Sequence, residues 1–220
     1  GGHESEVRAV LRDLLDRQLP LDDVEIVYPT AHNTYLPLLY DAICRFDIAA
    51  HFTGGVPASM TRVGRCLRAF LVWIEQDLDG RVLIDALRSG DISWNQPEVS
   101  VAQVTAWLLQ GRVDRGRDAA AMALRRVAAR SSRSPDHQAR QQALQQAEAR
   151  LQQFVAHVPD ETEIDLSQLA QGALGFLQMA AAEQETDWEE PVLARLANIS
   201  ALGATSRQPR HQQARQLLHQ

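Results

Sequence analysis

Between Ile48 and Trp73 the chain runs IAAHFTGGVPASMTRVGRCLRAFLVW. A short apolar run stops at Thr53-Gly54-Gly55. Beyond it Val63, Cys66, Leu67, Phe70, Leu71 and Ile74 recur at three- and four-residue spacing, the period of a helix with one buried face. The pattern predicts a strand, a glycine turn and a buried helix, and the rest of the chain has to be arranged around that unit. Paired glycines admit positive φ and let a phosphate or another backbone approach with no Cβ in the way. The first N–H groups of the helix could then hold a phosphate, with Arg62 adding charge. Thr53, Gly54, Gly55 and Arg62 are therefore candidate contacts to a nucleic-acid backbone, although a tight turn with a solvated arginine accounts for the same residues.

Upstream, residues 4–18 read as an amphipathic helix with Val7, Val10, Leu11, Leu14 and Leu15 along one face, stopped by Pro20. Val24 to Tyr28 is a β-branched run closed by Pro29 and predicts a buried strand. A helix follows from about Asn33, with Leu36, Leu39, Tyr40 and Ile43 inward, and leads to a second strand at Ile48 to Phe52. Helix, strand, helix, strand, helix is the rhythm of a parallel α/β sheet. Two strands cannot complete one, so the pattern predicts a partial sheet with flanking helices over residues 1–90.

Past residue 90 the strand signals stop. A helix over 82–88 ends at Gly90, and Ser100 with Gln103 has the form of a capping box for a helix through Gln110. Further helices are expected over 115–130, after Ser134-Pro135 with Leu144, Leu151, Phe154, Val155 and Val158 inward, after Asp165 with Gln168, and from Pro191. Residues 91–220 thus read as an all-helical bundle, with a polar tail from Ser206 that is a helix start or frayed chain.

Composition limits the chemistry. All 22 basic residues are arginine. A phosphate-binding loop ending in Gly-Lys-Ser/Thr, a Schiff-base lysine and the lysine of a restriction-type nuclease core are all excluded. The formal net charge of −6 argues against a general polyanion binder but leaves room for a local patch. Such a patch is suggested by Arg112, Arg115, Arg117, Arg125, Arg126, Arg130 and Arg133, which share one stretch with only two acids, Asp114 and Asp118. Arg125 and Arg126 are the candidate duplex contacts there, against the plainer reading of a solvated helix face. Cys44 and Cys66 lack zinc or disulfide spacing, the histidines are scattered, and no metal site is expected. Asp160, Glu161, Glu163 and Asp165 fit a solvated loop before a helix, Ser59 and Ser100 fit turn and cap positions, and Trp94 and Trp107 fit packing or base stacking. No apolar run approaches the roughly 20 residues of a membrane span, so a cytoplasmic protein without membrane contact is expected.

Four pieces in order carry a family resemblance: ESEVRAV at 4–10, VEIVYP at 24–29, YLPLLYDAI at 35–43, and FTGGVP at 52–57 followed by Thr61 and Gly64. Together they resemble UvrD-like superfamily-one helicases, and within these the AddB/RexB-type subunits of ATP-dependent helicase-nucleases. The resemblance covers residues 3–90 by motif and the remainder by helical character. It implies part of a RecA-like half followed by a helical insertion, in a protein acting in double-strand-break repair and recombination. It further implies DNA and a partner helicase-nuclease subunit as partners, with ATP and Mg as cofactors of the parent protein and none held by this piece. Val56-Pro57-Ala58 departs from the Arg-Phe-Phe-type run of active members. With the arginine-finger and nuclease segments not seen either, the expected role is a non-catalytic scaffold and DNA guide. The alternative is a free-standing helical adaptor that binds only protein.

Overall fold

The computed structural model describes residues 2–20, 23–28, 34–46, 48–53, 56–130, 137–180, 190–201 and 207–218. They fall into two compact units, Gly1–Met60 and Thr61–Gln220. Helices hold 70% of the described residues.

In the first unit, α1 (His3–Asp16) packs on α2 (Tyr35–Phe46). Val7 and Leu11 of α1 are buried, as are Leu36, Leu39, Ala42 and Ile43 of α2. The Tyr35 hydroxyl donates to Glu6 (2.8 Å) and meets His3 Nδ1 at 2.9 Å, so a polar tie supplements the apolar contact. The wider stripe expected on α1 does not close, since Val10 and Leu15 are exposed.

The parallel sheet expected over residues 1–90 is not there. Residues 24–28 and 48–52 are not in strands, and Val27 is 85% exposed. The only sheet among the described residues is an antiparallel pair in the second unit, β1 (Glu163–Ile164) with β2 (Gln208–Pro209). An apolar β-branched run is a strand only when a neighbour completes its ladder, and neither segment finds one among the described residues. The protein is mainly all-α, not a RecA-like parallel sheet followed by a bundle.

The second unit holds α3 (Arg62–Glu75), α4 (Gly80–Ser89), α5 (Val101–Gln110), α6 (Ala119–Arg130), α7 (His137–Ala156), α8 (Leu166–Ala180), α9 (Glu190–Ala201) and α10 (Arg210–Leu218). Side chains cap several helix ends. Thr61 Oγ1 accepts from Gly64 N (2.9 Å) to cap α3, and Asp79 accepts from Arg81 N to cap α4, which ends at Gly90 with φ 77°. Ser100 and Gln103 form a reciprocal capping box on α5, and Asp165 with Gln168 forms the same pattern on α8. Replacing Thr61 with alanine removes one orphan donor's partner and should destabilise this unit by about 1 kcal/mol in urea unfolding.

These helices share one core. Phe70 of α3 stacks on Phe176 of α8 (4.4 Å between centroids), Phe154 of α7 lies 5.5 Å from Phe176, and Trp94 meets Phe154 edge-on at 6.2 Å. That core includes residues on both sides of position 90, so the 90/91 division expected from the sequence runs through continuous packing. Close approach needs small residues at two crossings. A Cβ on Gly111 would lie 2.2 Å from Ala123 O, and one on Gly172 would lie 2.3 Å from His157 O. The polar tail closes the unit: α10 packs on α3 and α8, with Ala214 and Leu217 buried.

Candidate functional site

The arginine stretch is placed on α6 and the segment leading into it. Arg117 donates to the carbonyls of Val155 (3.2 Å), Val158 (2.8 Å) and Pro159 (2.9 Å), where α7 ends, and pairs with Asp160. Arg126 donates to Gly111 O (3.1 Å) and Arg112 O (3.2 Å), and Arg130 to Gln110 O (3.2 Å), where α5 ends. Arg150 reaches Met179 O (2.9 Å) near the end of α8. The last carbonyls of a helix lack intrahelical donors and carry partial negative charge, so a guanidinium satisfies both needs at once. A lysine-free chain thus uses its arginines as carbonyl clasps between helices.

Two others in the stretch are paired with acids. Arg125 donates to Glu148 on α7 (2.9 Å), and Arg115 to Asp79 (3.0 Å). The Asp79 carboxyl is held below its usual range first by the Arg81 backbone N–H, against an upward push from burial, and then by Arg115. Arg125 and Arg126 are both exposed at neighbouring positions on α6 despite these contacts, and Arg133 lies outside the described residues. Trp94 and Trp107 are buried in the core, which leaves neither a free ring for base stacking.

Of the candidates around the glycine turn, Thr53 is exposed in the first unit, and Gly54 and Gly55 lie outside the described residues. Arg62 is exposed at the first position of α3. It lines an open cleft of about 650 Å³, together with Leu87, Ile92, Trp94, Asn95 and Gln96 among others. Sequence reading singled out Arg62 and Trp94 but not Asn95 or Gln96. Their signal was the short polar turn between Gly90 and the Ser100 cap, which reads as linker until the cleft is seen.

No group of three or more His, Cys, Asp and Glu side chains that could hold a metal lies among the described residues, and no helix among them is long and apolar enough to cross a membrane. Cys44 is exposed and free. Cys66 is fully buried, and burial, followed by the charge of Asp91, pushes its thiol up to about 12, so it is a packing residue and not a nucleophile. Asp165 is held below the usual carboxylate range by the Ser167 hydroxyl and then the Gln168 N–H, as expected of a helix cap. Comparison with protein families, curated proteins and solved structures found no match to this chain.

Proposed function

We propose that this chain is a non-catalytic helical segment of an ATP-dependent DNA helicase-exonuclease subunit of the UvrD-like, AddB/RexB type, serving double-strand-break repair and recombination in the cytoplasm as scaffold and DNA guide. The observation that carries the reading is the ordered run of motifs from Glu4 to Gly64. Its Thr-x-x-Gly element has a physical role, because Thr61 caps α3 through the Gly64 N–H. DNA would reach the exposed guanidiniums of Arg125, Arg126 and Arg62 in the second unit and, separately and through the parent complex, positions Thr53, Gly54 and Gly55. ATP and Mg belong to the parent protein in this reading. With no lysine in the chain, no phosphate-binding loop of the Gly-Lys-Ser/Thr kind is available here for the β and γ phosphates.

The test is a gel-shift titration of forked DNA at about 50 and about 200 mM salt. Two phosphate contacts predict roughly tenfold weaker binding at the higher salt, and the salt dependence should disappear on changing Arg125 and Arg126 to glutamine. Absence of any shift at protein concentrations of about 100 μM would overturn the DNA role.

One observation favours a second reading, a helical adaptor that binds only protein. Arg117, Arg126 and Arg130 commit donors to carbonyls inside the unit, which leaves fewer N–H groups free to meet phosphate oxygens. The same titration separates the two.

A further inference from the structure

The cleft beside Arg62 has an apolar floor and a polar rim whose members are unequally used. Pro97 and Val101 line it with part of their surface open, while Leu87, Ile92, Trp94 and Val99 also line it but are buried. On the rim, Ser100 is committed to its capping box, but the side chains of Arg62, Asn95 and Gln96 have no hydrogen bond or ion pair among the described residues. Arg65, one turn further along α3, is by contrast held by Asp91 at 3.0 Å, so that acid is already paired with another guanidinium. Glu98, in the same loop, is not among the lining residues.

The loop carrying these groups is fixed in place. Ser93 N donates to Ala180 O (2.8 Å), the Trp94 indole N–H to Val99 O (2.6 Å), and Asn95 holds a φ of 44° between them. A pinned loop presents its side chains without the ordering cost that weakens binding by flexible segments.

Each free group specifies part of a ligand. Two adjacent primary amides offer donors and acceptors to a peptide backbone, one guanidinium asks for a carboxylate, and the open apolar surface takes an aliphatic or aromatic side chain. Nucleic acid fits less well, because one cation lines the cleft and its only aromatic ring is buried. We propose that this cleft docks an extended peptide segment of a protein partner in which an apolar residue stands next to an aspartate or glutamate. Arg62 is the one residue this proposal shares with the DNA reading, and the oligonucleotide arm of the test keeps the two apart.

An array of synthetic decapeptides that pairs each apolar residue with Asp, Glu, Asn or Gln in a Gly-Ser background tests it, followed by fluorescence polarisation of the best binder in solution. Apolar-acidic pairs should be selected, Arg62→Glu should weaken the best by at least about tenfold, and Gln96→Ala should weaken it measurably. The peptide should also shift the Trp94 indole N–H resonance, whereas a 20-mer of thymidylate should not. Selection without regard to the acid, binding indifferent to Arg62→Glu, no binding at all, or a Trp94 shift produced by the oligonucleotide would each overturn it.

Discussion

Truncating Phe176 to alanine should cost the Thr61–Gln220 unit about 3–5 kcal/mol, read as a lower urea midpoint by tryptophan fluorescence. The ring is fully buried and contacts Phe70 and Phe154, so its removal leaves a void bounded by α3, α7 and α8 that no single rotamer change can fill. Phe176→Leu is the control. It keeps most of the volume and should recover more than half the loss, although the stacked geometry with Phe70 is gone. A loss under about 1 kcal/mol for the alanine variant would mean that the three helices do not share this core.

Gly111→Ala should be nearly as damaging, about 3 kcal/mol, for the opposite reason. The added Cβ would sit 2.2 Å from Ala123 O and 2.6 Å from Ala123 C, and these are backbone atoms of α6 that cannot swing aside. Opening the crossing also pulls Arg126 from the Gly111 and Arg112 carbonyls, so one methyl group disturbs packing and capping together. The diagnostic comparison is Gly116→Ala, five residues on. No atom lies within 4 Å of a Cβ there, and the cost should be confined to the strain of φ 97°. Gly111 has a φ of −76° that alanine adopts freely, so a loss there under about 1 kcal/mol would mean that α5 and α6 do not approach this closely.

Helix ends were the most legible part of this molecule. Ser100 with Gln103, Asp165 with Gln168, and Gly90 each carry a signal confined to four residues, and each cap forms where the pattern placed it. The two apolar runs at 24–28 and 48–52 misled because periodicity reports a buried face but says nothing of the neighbour a strand requires. Trp94 and Trp107 were equally ambiguous, since a tryptophan that packs and one that stacks a base have the same letter. The arginine stretch was visible, yet its main use was not. Carbonyl oxygens have no sequence signature, so the clasps made by Arg117, Arg126 and Arg130 emerge only once α5 and α7 end where they do. The tail was read as polar because Arg210–Leu218 is rich in Gln, Arg and His, and two inward residues, Ala214 and Leu217, are too few to set a period.

The seating of α10 on α3 joins the two ends of the larger unit across almost its whole length. During synthesis α3 leaves the ribosome long before its covering helix exists, and the face that α10 will occupy must wait, exposed, for some 140 residues, the separation of Arg215 from its ion-pair partner Glu75. At about 5–20 residues per second that is an interval on the order of ten seconds. The nascent chain is therefore most open to chaperones, and to association with its neighbours on the same message, just before Arg210–Leu218 arrive.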